Sequence, residues 1–431
     1  MNRVVYDLSR LTTRVLNATP NGIDGIDRLL ADHFLEDRQD THTLLFGPLG
    51  PRLFPPGLLP NPTAALAHQW DAPSAVPDRL VAALRGAIAP GRPAQRLDFA
   101  LPGRSRRIVG ALGAYGLKFG AAPAKAAPPG AVYLNATHFP LESPRHVAWL
   151  DARPDIRPIF FIHDLLPITA AETFWRGEPE QHARRLALLA RRGAGALVTS
   201  RNVADDLAAH MRSLGRTNLP IHMAHPPVAP IFRAPCPPDP RLAGKPYFVA
   251  CGTIEPRKNH MLLVDIWRRL VAERGPKAPK LVVVGKRGWR CAEIVAALAD
   301  PALGGSVIEV VGLSNGGWRA LLAGATTLLA PSLAEGFGLP LAEALAAGVP
   351  ALCSDIAPFR EIAGEAVLYL DPRQPTDWAA AIAGLLSSDG EQLAQTRRRL
   401  AAHRPVTPEA YFAALDAFLE EVAAAPDTGG R

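Results

Sequence analysis

Residues 247–271 read YFVACGTIEPRKNHMLLVDIWRRLV. The first five, Tyr247 to Cys251, form an apolar run that suits a buried strand. Leu263, Ile266, Trp267, Leu270 and Val271 then recur at helical spacing, with Asn259 placed to cap the start and Gly275 the end. Between strand and helix lie Glu255, Arg257, Lys258, Asn259 and His260. A tight turn asks for Gly or Pro, not for two adjacent cations. Apolar β-type runs follow at Leu281–Val284, Val307–Val311, Thr327–Ala330, Pro350–Cys353 and Val367–Leu370, with helix-like stretches between most of them. That alternation predicts a parallel sheet covered on both faces.

The first half reads as the same kind of fold. Strands are expected at Val4–Leu8, Thr43–Phe46, Val132–Leu134, Ile159–Ile162, Ala196–Thr199 and Ile221–Ala224, and helices near 24–36, 179–192 and 202–214. A Pro/Gly/Ala-rich region, about 48–130, reads as one or two insertions around this smaller core. Six prolines within residues 226–238 make a stiff linker that cannot be helical. The expected division is therefore an N-terminal α/β domain over 1–232, a linker over 233–246, and a C-terminal α/β domain over 247–410. A helix and a disordered tail complete the chain over 411–431.

Composition narrows the class. Over 431 residues, 48% hydrophobic and 20% charged content describe a globular chain of two or three domains. A net charge of +7 at this size does not point to nucleic acid. Cys236, Cys251, Cys291 and Cys353 lie far apart and form no paired motif, which fits a reducing cytosol and gives no zinc signal. The opening residues lack the apolar segment of a signal peptide, and no run approaches the length of a membrane span. A cytoplasmic protein is expected.

In open α/β sheets, ligands bind beyond the carboxyl ends of the strands. Arg257 and Lys258 stand there, before a helix N-terminus that suits anions. Two readings fit them: a di-anion such as a pyrophosphate, or surface charge with Glu255 pairing Arg257. Residues 331–348, PSLAEGFGLPLAEALAAG, form a second cluster. Thr327–Ala330 is a strand, and Pro340 suits the first turn of a helix. This puts Glu335 in the loop and Glu343 in the opening turn. Gly336 and Gly338 let backbone approach a ligand closely. Carboxylates accept hydrogen bonds from vicinal hydroxyls, so a sugar, a pyrophosphate and a ribose in series would match the pattern. Either Glu alone reads better as a solvated charge; the pair, with the glycines and the Arg-Lys loop, favours a site.

These residues carry a resemblance. Two glutamates flanking seven residues within SLAEGFGLPLAEALAAGVPALCSDIAPFREIAGEAVLYLDP resemble the signature of family 4 retaining glycosyltransferases. VIEVVGLSNGGWRALLAGATTLLAPS and GTIEPRKNH match it in type and order, and the likeness is strong over roughly 245–375. It implies two Rossmann-like doubly wound domains facing across a cleft, the GT-B arrangement, with the donor held mainly by the C-terminal domain. It further implies Lys258 at the donor pyrophosphate and Glu335 at the transferred sugar, helped by the N–H groups of Phe337, Gly338 and Leu339. Glu343 is implied at the ribose, and Val311, Gly312 and Leu313 near the base. Many members carry Arg directly after the first Gly of the GTIEPRKNH loop, where this chain has Thr253. Arg257 is the natural substitute.

The first half matches only in NGIDGIDR and FFIHDLLPI. The resemblance implies that His163 lies near the donor sugar; a histidine satisfied by loop backbone is the other reading. Asp164 either orients that imidazole or caps the turn. Gly22 and Gly25 fit a loop packed against the phosphates, and His138 is a candidate for the acceptor side. Arg92, Arg96, Arg104, Arg106, Arg107 and Lys118, interleaved with apolar residues, suit either a face on anionic lipid or a solvated face over a small core.

The expected activity is retaining, metal-independent transfer of a sugar from a nucleotide diphosphate donor to an acceptor hydroxyl, with no cofactor. The wording of HDLLP and GTIEPRKNH resembles bacterial mannosyltransferases of polysaccharide assembly, which makes GDP-mannose the first donor, UDP-sugars the next, and a lipid-linked or growing glycan the acceptor. The rivals are a sugar-nucleotide epimerase of similar build and a non-catalytic nucleotide-sugar-binding protein.

Overall fold

A computed structural model describes residues 3–14, 17, 19–38, 40–47, 50–71, 75–86, 95–99, 119–387 and 390–425. Among them the chain forms two seven-stranded sheets. In the first, β1 (Val4–Asp7), β5 (Val132–Asn135), β6 (Arg157–Ile162), β7 (Gly195–Val198) and β8 (Ile221–Met223) run parallel. β2 (His42–Gly47) pairs parallel on the other side of β1, and β3 (Gly50–Phe54) closes that edge antiparallel. The second is wholly parallel, in the order β14 (Leu368–Leu370), β13 (Ala351–Ser354), β12 (Thr327–Ala330), β9 (Tyr247–Cys251), β10 (Lys280–Val284), β11 (Val307–Val311) and β4 (Gln95–Asp98). Helices cover both faces. Strands such as β10, buried at every residue, are the continuous apolar runs that a two-sided parallel sheet demands. Two cores flank each sheet: Val249, Val282 and Val310 face one side of the second, Phe248, Leu281 and Val283 the other.

The division into halves needs one correction. The 48–130 region is not an insertion confined to the first domain. Its strand β4 pairs with β11 in the second sheet, and Leu80, Val81 and Leu84 of the helix Asp78–Arg85 join the core of that sheet. The physical reason is the edge of β11, whose backbone groups would otherwise be unpaired. The helix Pro408–Ala424 returns to the first domain, where Tyr411, Leu415 and Phe418 pack with Tyr6 and Phe161. Of the basic patch, Arg92, Arg104, Arg106, Arg107 and Lys118 lie outside the described residues, as does the tail beyond Ala425. Among the described residues, no helix is long and apolar enough to cross a membrane.

Candidate active site

From β9 the second sheet builds outward through β10 and β11, then returns to β12 on the other side of β9. The strand order thus reverses between β9 and β12, and a crevice opens beyond their carboxyl ends. The loop after β9 carries Arg257 and Lys258; the loop after β12 carries Glu335. Leu333 N–H donates to Arg257 O at 2.7 Å and ties the two together. Asn259 does not cap the following helix through its side chain. It adopts a left-handed conformation (φ 55°), and its amide donates to Pro372 O at 3.0 Å.

Glu335 is the hub of this junction. Its Oε1 accepts from Lys258 Nζ at 2.5 Å and Ser332 Oγ at 2.7 Å, and its Oε2 from Arg257 at 2.7 Å. Burial alone would push this carboxyl up, but Lys258 and Arg257 outweigh it and hold it at about 2. Arg257 also touches the buried Glu255 at 2.6 Å, a contact of charges without hydrogen-bond alignment, and donates to Ala334 O at 3.2 Å. Burial holds the Glu255 carboxyl above its ordinary range. Arg257 is therefore engaged by two carboxylates, Glu255 and Glu335.

A cavity beside this junction gathers most of the other expected donor residues. Gly22, Thr253, Val311, Gly312, Leu313, Leu339 and Glu343 all line it. Lys258, Glu335 and Gly338 line a smaller adjoining one that shares Cys251 and Pro340 with the first. Glu343 is the fifth residue of the helix Leu339–Ala346, just past the opening turn. Its Oε2 accepts from Trp318 Nε1 at 2.9 Å, and burial pushes its carboxyl up to about 8. Among the described residues, the N–H groups of Phe337, Gly338 and Leu339 reach no acceptor, so this helix start presents free donors. Gly338 holds φ 116° and has Phe359 where a Cβ would sit, so only glycine fits there.

The first domain meets these loops directly. A Cβ on Gly336 would lie 2.5 Å from His163 O, and Gly336 O accepts from Ser200 Oγ at 2.8 Å. Ideal Cβ atoms on Gly22 and Gly25 would both contact Leu339. Glu361 of the second domain accepts from Arg201 N–H and Asn202 N–H at 2.6 and 3.0 Å, capping a helix of the first.

The structure favours the quieter reading of the histidines. His163 Nε2 lies 2.7 Å from Ala136 O, its ring stacks on Phe161, and burial lowers its pKa to about 4. His138 accepts from His163 N–H at 3.2 Å through Nε2, and burial keeps it neutral. Asp164 caps the next turn by accepting from Leu166 N–H at 3.1 Å. Phe337 is buried and stacks on His225. None of Arg257, His138, His163, Asp164, Gly336 and Phe337 lines either cavity.

Sequence reasoning missed Arg28, Trp70, Lys286, Asn315 and Trp318, which also line the larger cavity. Lys286 carried a signal, since it follows a strand and a glycine as Lys258 does. Arg28 closes the NGIDGIDR motif, whereas Trp70 had no signal; both arrive from helices of the first domain.

Comparison with known proteins places this geometry. Residues 245–388 match the family model described as glycosyl transferases group 1. O-antigen chain mannosyltransferase B of Escherichia coli is 34% identical over 162 residues, 37% of this chain and 42% of that one. The serotype-specific mannosyltransferase WbdA of Escherichia coli is 29% identical over 237 residues, 52% of this chain and 29% of that one. The match thus spans less than half the length of either relative. Among solved structures, sucrose-phosphate synthase from Thermosynechococcus elongatus aligns with TM-score 0.59 at 16% identity, over 99% of this chain and 100% of that one. Anabaena HepE in complex with UDP aligns with TM-score 0.59 at 13% identity, over the same shares. Such low identities speak for the fold alone, and that fold is GT-B. Residues 245–388 are thus similar to a group 1 glycosyltransferase domain, and the chain has the GT-B fold.

Proposed function

We propose that this protein is a retaining, metal-independent mannosyltransferase that moves mannose from GDP-mannose to a hydroxyl of a growing or lipid-linked bacterial surface glycan. It would work in the cytoplasm, with peripheral contact to the membrane that carries the acceptor. The observation that carries the reading is the convergence of Lys258, Glu335, the free N–H groups of Gly338 and Leu339, and Glu343 along one crevice. In series they suit a hexose, a diphosphate and a ribose. The mannosyltransferase relatives of O-antigen assembly supply the choice of sugar and acceptor.

Each group has a task in that chemistry. The anomeric C–O bond breaks with its electron pair going to the diphosphate. The acceptor oxygen bonds to the anomeric carbon on the same face, and its proton passes to the departing phosphate. Lys258 and the N–H groups of Gly338 and Leu339 stabilise the charge that builds on the leaving group. Glu335 accepts hydrogen bonds from the sugar and fixes Lys258; Glu343 accepts from the ribose. The buried, neutral His138 and His163 shape the acceptor-side loops.

The test is incubation with GDP-mannose, UDP-glucose and related donors, with chelator present, followed by product analysis. We expect GDP release, an α-linked mannosyl product from the α-linked donor, and indifference to chelator. Release from UDP-sugars alone would move the donor assignment. Epimerised sugar nucleotide, or binding without any turnover, would refute the transferase reading.

A further inference from the structure

The charges along the crevice are almost wholly matched. Arg257 and Lys258 face Glu255 and Glu335, two cations against two carboxylates, and Arg28 pairs with Asp71. A departing nucleoside diphosphate adds at least two negative charges that this arrangement does not offset. Lys286 differs from the other cations. It lines the larger cavity with Gly252, Thr253 and Val311, and among the described residues its ammonium meets neither a carboxylate nor a hydrogen-bond acceptor. The next residue, Arg287, is engaged elsewhere, gripping Glu309 through two bonds of 2.8 and 2.7 Å.

The backbone fixes where Lys286 stands. Ile254 N–H donates to Lys286 O at 2.9 Å, and Gly288 N–H donates to Ile254 O at 3.0 Å. A Cβ on Gly285 would lie 1.8 Å from Gly252 O, so the β10 loop can press on the β9 loop only as glycine. The β10 loop is thus pinned against the segment that holds Thr253. Threonine there is short and uncharged, and it leaves this wall of the cavity without a cation of its own.

We propose that Lys286 contacts the diphosphate of the nucleotide sugar, supplying from the β10 loop the positive charge that Thr253 does not supply from the β9 loop. The inference rests on the nucleotide-sugar reading above. Lys286 takes part in no bond change. It remains an ammonium while the electron pair of the broken C–O bond moves onto the diphosphate and the acceptor proton follows.

The test compares Lys286→Met and Lys286→Arg with wild type in binding GDP, guanosine, UDP and uridine, scored on whichever base the wild type binds. Lys286 is exposed at the cavity wall, so both variants should fold. Met should weaken the diphosphate by about 10–100-fold, the loss of one charge-assisted bond, and leave the nucleoside within about twofold. Arg should retain most of the affinity. Equal losses for nucleoside and diphosphate, or no loss, would overturn the inference while leaving the donor site in place. A wild type that binds neither diphosphate would overturn the nucleotide-sugar reading first, and the inference with it.

Discussion

Glu335→Gln removes one negative charge from the buried junction and keeps its shape. In the wild type this carboxyl sits at about 2 against an ordinary 4.5, because Lys258 and Arg257 overcome the effect of burial. A depression of about 2.5 pH units, at about 1.4 kcal/mol each, amounts to about 3 kcal/mol of stability. The folded-state value is the lower one. The contribution is therefore whole above about pH 4.5 and fades as pH falls toward 2. At pH 7 the Gln variant should be less stable by about 3 kcal/mol, comparable with breaking a buried ion pair. By pH 3.5 the gap should narrow to about 2 kcal/mol. Urea unfolding followed by tryptophan fluorescence is a suitable assay, since Trp267 and Trp378 are buried in one core of the second domain. Transfer should fall by about 100-fold or more, because Lys258 and the sugar lose their common partner. A gap that does not change between pH 7 and 3.5, or a variant as stable as wild type at pH 7, would refute the reasoning about charge at this junction.

Two further substitutions probe other parts of the crevice. Glu343 is held at about 8 by burial, so the folded state keeps a proton that the unfolded state has lost, and stability should fall as pH rises from about 4.5 to 8. Glu343→Gln should remove that fall, gaining at least about 1 kcal/mol at pH 8 in the same urea assay, and weaken donor binding about 10-fold by calorimetry. Gly336→Ala would set a Cβ 2.5 Å from His163 O, a backbone atom of the facing domain. It should cut transfer while leaving the unfolding of the second domain unchanged, and small-angle scattering should show a larger radius of gyration.

The fold was legible wherever one rule decided it. Continuous apolar runs such as Leu281–Val284 can only be strands buried on both faces, and helices lay between them. Missed were β3 and β4, both within the Pro/Gly/Ala-rich region. Gln95–Asp98 exposes three of its four residues, so no pattern marks it, and it is a strand because β11 needed a partner. At the site, spacing within one loop was readable: Glu335 and Glu343 both reached the crevice. Pairing between loops was not. Arg257 and Lys258 look alike side by side in sequence, yet the first is absorbed by Glu255 and Glu335 while the second borders a cavity. His163 was likewise undecidable, because Ala136, the carbonyl that engages it, lies on a different strand's loop.

The balance of charge also bears on how the two domains close. The larger cavity holds about 230 Å³, less than the roughly 300–1,000 Å³ of ordinary small-molecule sites, so the proposed nucleotide sugar would need more room than this arrangement gives. Contacts of several kinds hold the domains together: Ser200 on Gly336 O, Glu361 at the start of the helix Arg201–Ser213, and the stacked rings of Phe174 on Trp289 and of His225 on Phe337. The hydrogen bonds are ones that water can replace when the domains separate; the stacked rings have no such replacement. Closing on an empty crevice would bury Lys258 and Arg257 unpaired, were it not for Glu335 and Glu255, which make the junction neutral before any donor arrives. The same neutrality means that these four groups cannot alone attract a diphosphate. That attraction falls to groups that stay hydrated until the ligand comes, and the exposed ammonium of Lys286 at the cavity wall meets this condition where the buried pairs do not.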